Sequence, residues 1–393
     1  MKSMYKEYCT GCGMCQSVFN TKLSKSEKGF LFPDAGLVEK QKDFFREVCP
    51  AGGCYTDRIV SRSVWGDEKR TFLGWSKDAE IRKKASSGGV LTALCCALLE
   101  NHAVDGIIQT KASHTTPYAT KTVISRTAAE VKECMGSRYS ISSPLSQLLQ
   151  KLVPGEKYAF VGKPCDVSAL RSYCLRNEAL ADQIEFMFSF FCAGIPSDDA
   201  QKKLLSALEM EQIDCRELQY RGNGWPGFAT AVSFDGTVRQ MSYNDSWGKI
   251  LGRDVPKICR YCLDGIGLAS DIVCGDAWYL DKDGNPDFSE HSGRNVVIIR
   301  TEKGMELYNS GLLGDAVELE DYDLASGELE KIQRYQYERK IAMISMINAL
   351  KITGKTHPFY NKKLMRVYAK HAPVKMKLKR FSGTVYRVIK GKI

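Results

Sequence analysis

At 393 residues, 44% hydrophobic and 26% charged, the chain has the composition of an ordinary globular protein, long enough for more than one domain. Fifteen cysteines in triplets and pairs, behind a start (Met1 to Glu7) with no apolar signal segment, argue against a secreted disulfide framework and for metal ligation in a reducing, cytoplasmic compartment. Residues 361–393 hold 11 Lys and Arg and no acid, so from a net charge of +10, 10 minus 11 leaves the rest at −1, which argues against a nucleic-acid partner.

Residues 1–62 read as a small cysteine-bearing module. It opens Cys9-Thr10-Gly11-Cys12-Gly13-Met14-Cys15 and closes Cys49-Pro50-Ala51-Gly52-Gly53-Cys54, with a turn and short edge strand at Lys28 to Pro33. Cys-x2-Cys-x2-Cys wraps three thiolates around one iron–sulfur cube, and Gly11 and Gly13 let backbone N–H groups approach the sulfurs. The fourth cysteine of a ferredoxin run is replaced by Phe19, and a distant Cys-Pro supplies the missing ligand. The reading is one 4Fe–4S cluster on Cys9, Cys12, Cys15 and Cys49, with Cys54 as the substitute for Cys49. A zinc knuckle is the rival, but zinc sites favour two Cys-x2-Cys pairs over a triplet. So small a module lacks its own core and needs the cluster to hold it.

Residues 63–352 read as an α/β domain. Ser86-Ser87-Gly88-Gly89 precedes the apolar helix 90–99, a capped start where glycines let a ligand touch the backbone; Lys83 and Lys84 supply counter-charge for a pyrophosphate. A capped core helix is the equally weighted rival. Cys95 and Cys96 lie within its apolar face as packing residues. A strand at 104–110 follows. Helices at 127–134 and 143–152 then bracket the polar loop Gly136-Ser137-Arg138-Tyr139-Ser140, which suits a phosphate and a ring.

The chain is organised around Tyr158 to Cys165, an apolar strand running through Gly162, Lys163 and Pro164 into a helix that starts at Cys165. A cysteine in the first turn of a helix meets free N–H groups and a positive dipole end, which favour a thiolate. A second strand, Ile184 to Phe191, ends in Cys192. If both strands lie in one parallel sheet, Cys165 and Cys192 share its ligand-binding edge. Cys259-Arg260-Tyr261-Cys262 could complete four thiolates, enough for one iron–sulfur cluster or one structural zinc. A helix at 198–209 and a strand near 218–221 precede Gly222-Asn223-Gly224-Trp225-Pro226-Gly227. This segment matches G-x-G-x-x-G but is rejected as a dinucleotide fingerprint: Pro226 sits inside it and a strand follows, so it reads as a turn or lid carrying Trp225. A hairpin spans 229–243, strands cover 269–276 and 295–301, and helices 302–313 and 328–350. Residues 353–393 form a basic tail that can lie on anionic lipid at a membrane face or on an acidic partner, with a disordered end slightly favoured because Pro373 and Gly383 interrupt a long helix.

Taken together, six blocks in order and spacing resemble the coenzyme F420 hydrogenase/dehydrogenase beta-subunit family: Ser86 to Gly89, Gly136 to Tyr139, Gly162 to Cys165, Phe191-Cys192, Cys259 to Cys262 with Asp264, and Ala269 to Ile272 before Gly275-Asp276. The resemblance covers roughly residues 65–350, with a ferredoxin-like module fused in front. It implies a mixed α/β flavin and iron–sulfur domain behind the small N-terminal ferredoxin-like module, with an FAD beside a 4Fe–4S cluster; with the N-terminal cluster read from spacing, that makes two 4Fe–4S clusters. By position it makes Cys165, Cys192, Cys259 and Cys262 the ligands of the second cluster, and Ser86, Ser87, Gly88, Gly89, Gly136, Ser137, Arg138 and Tyr139 the FAD contacts. Lys163 is placed to lie over the flavin. The expected activity is that of an oxidoreductase: electrons pass between the clusters, which meet a ferredoxin-like carrier or partner subunit, and FAD, which exchanges hydride with an organic substrate or deazaflavin-type coenzyme. An electron-relay subunit without a substrate pocket is the alternative. No general acid stands out; His102, His114 and His291 read as ordinary surface or core histidines.

Overall fold

A computed structural model describes residues 2–53, 55, 58, 59 and 63–393. An eight-stranded mixed sheet is the backbone of the molecule. Its strands are β1 (Arg70–Ser76), β2 (Gly106–Ala112), β3 (Thr120–Ser125), β4 (Tyr158–Gly162), β5 (Ile184–Phe190), β9 (Ile272–Asp276), β10 (Asn295–Ile299) and β11 (Val317–Asp321). They lie in the order β11-β1-β10-β9-β5-β4-β2-β3. The inner run β9-β5-β4-β2 is parallel and the flanking pairs are antiparallel. A separate antiparallel sheet holds β6 (Cys215–Gln219), β7 (Ala229–Ser233) and β8 (Val238–Met241).

The parallel strands are mainly apolar because both faces are covered, and alternate residues go to opposite sides. Ile107, Ala159 and Phe188 pack with Val90, Leu94 and Leu98 of α1 (Val90–Glu100). Ile108, Phe160 and Met187 pack with Val167 and Leu170 of α2 (Pro164–Cys174). Asp271, fully buried, ties this core together: it accepts from Met187 N, Thr301 Oγ1 and Arg171 Nη2, each at 2.7 Å. The Ala269 to Ile272 block is therefore a strut rather than a reactive site. Helix α3 (Asp198–Ala207) starts at a Ser197 cap and lies against the smaller sheet.

Several expected elements differ in extent. Helix 143–152 shrinks to Leu148–Lys151, because the loop before it pairs with the N-terminal segment through Leu145 N to Cys12 O, 2.9 Å. Helix 302–313 ends at Asn309, before Gly311 at a φ of +88°. The 328–350 stretch is three helices: Glu328–Ile332, α4 (Arg334–Ile341) and α5 (Met343–Ile352). No Gly or Pro marks the first break; Gln333 leaves the helix and its side chain donates to Asp276 O at 2.6 Å. The basic tail is also helical, as α6 (Lys362–Ala369) and α7 (Val374–Ile389). Pro373 occupies the cap position before α7, where a missing N–H costs nothing, and Gly383 lies inside the helix.

Residues 2–53 form short helices and one two-residue ladder, Ser24–Lys25 with Leu31–Phe32. Met4, Tyr5, Tyr8 and Phe45 share a single apolar cluster with Ile258, Met346, Leu364 and Tyr368. The segment thus borrows its core from the C-terminal helices. No helix among the described residues is long and apolar enough to cross a membrane.

Candidate functional site

The parallel strands bring Cys165 and Cys192 to one edge of the sheet. Gly162 of β4 pairs with Ser189 of β5, so both strands end together. Lys163 caps α2 and Cys165 is its second residue. Beyond β5, Cys192 N donates to Gly265 O at 2.8 Å. Cys259 lies on the one-turn helix Lys257–Arg260 and Cys262 just beyond. All four cysteines line a single cavity of about 50 Å³, whose other wall includes Thr10, Pro50 and Gly53 from the N-terminal segment. A strut from α4 holds the ligand loops. Gln336 Nε2 donates to Cys192 O at 3.0 Å, Arg339 Nη1 to Cys259 O at 3.2 Å, and Arg339 Nη2 to Gln336 Oε1 at 2.5 Å.

Cys9, Cys12, Cys15 and Cys49 lie near enough to one another to interact electrostatically. The Cys49 thiol is driven well above its ordinary pKa, first by burial and then by the sulfurs of Cys9, Cys12 and Cys15. Burial, followed by the Cys12 sulfur, pushes Cys9 up to about 12. Gly11 N points at Cys9 Sγ, 3.3 Å away, an approach its φ of +72° permits. Cys54 lies outside the described residues. In the second quartet, burial is again the leading cause: it pushes Cys262 up to about 11 and drives Cys165 well above the thiol range, with Asp166 adding and Lys163 opposing. The helix start alone would lower the Cys165 pKa; desolvation reverses that expectation. Left to themselves these sulfurs are thiols, and a metal that bound them would have to displace their protons. Among the described residues no three His, Cys, Asp or Glu side chains could share one metal ion. A tetrahedral zinc would require four sulfurs at about 2.3 Å from one centre. Two all-sulfur quartets, buried or half-buried, fit the donor chemistry of polynuclear iron–sulfur clusters.

Next to the second quartet opens a cavity of about 570 Å³, and Cys192 and Gly194 line both. Ser86, Ser87, Gly89, Gly136, Ser137, Arg138, Tyr139 and Lys163 all reach it. Ser86 Oγ accepts from Ser137 N at 2.5 Å, joining the two loops. Gly88 is the exception: it faces the sheet, where an added Cβ would meet Gly74 O at 2.7 Å, so this glycine permits packing. Lys163 Nζ is fixed by Asp166 Oδ2 at 2.7 Å and Ser142 Oγ at 2.8 Å. Burial disfavours its charge, but Asp166 and the neighbouring sulfurs outweigh that and raise its pKa. Cys95, buried in the core, contributes to the cavity wall as well.

Sequence reasoning missed the opposite wall: Arg221, Tyr243, Trp247, Asp276 and Trp278. Of these only Asp276 belongs to a sequence motif, Gly275-Asp276, and Arg221 stands just before the rejected glycine segment. Trp225 is no lid. It is buried, stacked on Trp278 with centroids 4.6 Å apart, and held by Glu290 Oε1 at 2.9 Å from its N–H. His291 pairs with Asp287 at 2.8 Å on the flap beside it. The cavity thus offers hydroxyls, glycine backbone and two cations on one side and aromatic rings on the other, which fits a flavin nucleotide.

Profiles described as coenzyme F420 hydrogenase/dehydrogenase beta subunit match residues 71–150 (N-terminal part) and 155–324 (C terminus). The coenzyme F420 hydrogenase subunit beta of Methanosarcina barkeri is 26% identical over 292 residues, covering 67% of this chain and 90% of the relative. The coenzyme F420-dependent sulfite reductase of Methanocaldococcus jannaschii is 25% identical over 84% of this chain, which spans 49% of that protein. The 7-hydroxymethyl chlorophyll a reductase of Oryza sativa is 21% identical over 78% of the chain. Among solved structures, the F420-reducing [NiFe] hydrogenase complex of Methanosarcina barkeri contains a chain of the same fold, with a TM-score of 0.52 and 23% identity, covering 72% of this chain and 96% of that one.

Proposed function

The chain belongs to the coenzyme F420 hydrogenase/dehydrogenase beta-subunit family, and on that premise we propose that it is an iron–sulfur flavoprotein oxidoreductase carrying two 4Fe–4S clusters and one FAD. A redox role is the common element of its relatives, which are named as subunits or enzymes of hydrogenase, formate dehydrogenase and sulfite reductase systems. Cys9, Cys12, Cys15 and Cys49 would hold one cluster, and Cys165, Cys192, Cys259 and Cys262 the other. Ser86, Ser87, Gly89, Gly136, Ser137 and Arg138 would seat the flavin's phosphates and Tyr139 a ring. When bound, FAD would supply the exchange between one-electron and hydride chemistry.

The observation that carries this reading is that Cys192 and Gly194 border both the sulfur-lined cavity and the large one, while Thr10 and Pro50 close the former from the other side. One line therefore runs from the N-terminal quartet through the second quartet to the cavity. Lys163 would set a fixed positive charge where cluster and flavin face each other. Tyr243, Trp247 and Trp278 would exclude water from the ring. The N-terminal quartet would accept electrons from, or give them to, a ferredoxin-like carrier or partner subunit. The substrate is an organic molecule or a deazaflavin. The aromatic part of the cavity gives it room, which favours an enzyme over a bare relay. Anaerobic purification with iron, sulfide and flavin assays, then stopped-flow mixing of the reduced protein with coenzyme F420, tests this. Eight irons and one flavin per chain are expected; a colourless protein containing zinc alone would overturn it.

A further inference from the structure

The C-terminal helices leave one face with no partner among the described residues. Helix α7 rests on α5: Thr384 is fully buried, and Met376 and Val388 pack on the same core. An ion pair from Arg380 to Glu338 of α4, at 2.9 Å, fixes it. Its other side carries Val374, Leu378, Tyr386 and Ile389, between 56% and 74% exposed. With exposed Ser382 between them, positions 374, 378, 386 and 389 follow helical spacing and form one stripe. Exposed Lys375, Lys379 and Lys390 border it. Neighbouring α6 turns Lys362, Lys363, Arg366 and Lys370 outward while burying Leu364, Met365 and Tyr368.

Single exposed apolar residues are ordinary; four on one face of a 16-residue helix are a patch. Within residues 361–393 there is no acid at all, and among the described residues only Arg380 of their 11 cations has a carboxylate partner. We propose that this face docks on an anionic lipid surface, with α7 lying in the plane of the headgroups. The stripe would enter the acyl boundary, the lysine stems would snorkel along it, and the bases of α6 would meet phosphates. A protein partner would require acids matched to particular cations. Bases along the border of an apolar strip, with no acid to set a register, suit a fluid anionic sheet better. The proposal does not depend on the cofactor assignment.

The test is flotation of the full anaerobically purified chain with phosphatidylcholine vesicles, with and without phosphatidylglycerol. Wild type should float with the anionic vesicles, stay behind with phosphatidylcholine alone, and be released by salt. The double variant Leu378→Glu, Ile389→Glu changes only exposed positions and should bind at least about tenfold more weakly, with its visible spectrum unchanged. Since each base near an anionic surface strengthens binding about fivefold, Lys375→Gln with Lys379→Gln and Lys390→Gln should weaken it about a hundredfold. Wild type that ignores anionic vesicles at low salt, or stripe variants that bind as well as wild type, would overturn the proposal. Stripe-dependent binding to a polyglutamate resin but not to vesicles would also overturn it, in favour of an acidic protein.

Discussion

The guanidinium of Arg221 and the carboxylate of Asp276 meet edge to edge, Nη1 to Oδ2 at 2.9 Å and Nη2 to Oδ1 at 3.1 Å, with Arg221 only 3% exposed. The pair joins the loop after β6 to the end of β9 and forms a wall of the large cavity. Tyr243 and Trp278 flank the guanidinium at 4.9 and 5.2 Å, and Trp225 Nε1 shares Asp276 Oδ1 at 3.1 Å. Removing one partner leaves a buried charge uncompensated, so Asp276→Ala should cost about 3–5 kcal/mol. Adding Arg221→Met should recover part of that loss. Denaturant unfolding of both single variants and the double checks it; additivity within about 0.5 kcal/mol would rule out the coupling.

Lys340 is fully buried, its Nζ has no hydrogen-bond partner, and it lies 4.9 Å from the centre of the Tyr368 ring. Burial, against the pull of Asp264 and with the push of Arg300 and Arg339, lowers its pKa from 10.5 to about 7. The unfolded chain therefore holds this proton up to the ordinary lysine range, while the folded chain releases it near neutrality. Between those limits the unfolded state binds more protons, so this group makes stability rise with pH, and its cost is greatest at and below about pH 7. Lys340→Met should raise stability near neutral pH by a few kcal/mol, on the order of 1.4 kcal/mol per unit of pKa shift, and flatten the alkaline rise. Melting temperature followed from neutral to alkaline pH measures both; an unchanged slope in the variant would refute the assignment.

That the cysteines gather in two groups and that the two serine–glycine loops meet at one cavity was legible because the signals are local: a spacing, a strand ending in Cys, a glycine pair before an apolar helix. Arg221 and Asp276 were not, because 55 residues separate partners that only the sheet brings together. Ser86 and Ser137 were each readable, but their mutual hydrogen bond was not. The tail was misjudged for a different reason. Pro373 and Gly383 were weighed as breakers, yet Pro373 stands where a helix tolerates it, and burial of Thr384 against α5 outweighs the intrinsic cost of a helical glycine, about 1 kcal/mol. The break at Gln333 has no local cause; its amide is drawn to the Asp276 carbonyl.

Gly13 shows how the N-terminal segment is seated. Its φ is +89°, and an added Cβ would strike Ser143 Oγ and come within 2.6 Å of Ser146 N. Leu145 N donates to Cys12 O in the same contact. Gly13→Ala thus combines a strained backbone with a clash against a loop backbone. It should cost more than about 1 kcal/mol and lift the segment off the 143–146 loop. Limited proteolysis between residues 15 and 49 should speed up; cleavage at the wild-type rate would show that the loop gives way freely.

On the proposed cofactor assignment, the two quartets can be told apart by counting iron. Cys49 is coupled to Cys9, Cys12 and Cys15, and Cys192 to Cys259 and Cys262. Cys49→Ala should remove about half the iron and leave the flavin in place, because its quartet does not touch the large cavity. Cys192→Ala should also remove about half the iron but disturb the flavin spectrum, because that residue borders both cavities. If Cys54→Ala, rather than Cys49→Ala, produced the loss, the fourth ligand would be reassigned. If both Cys49→Ala and Cys192→Ala left iron at the wild-type level, neither quartet would hold a cluster.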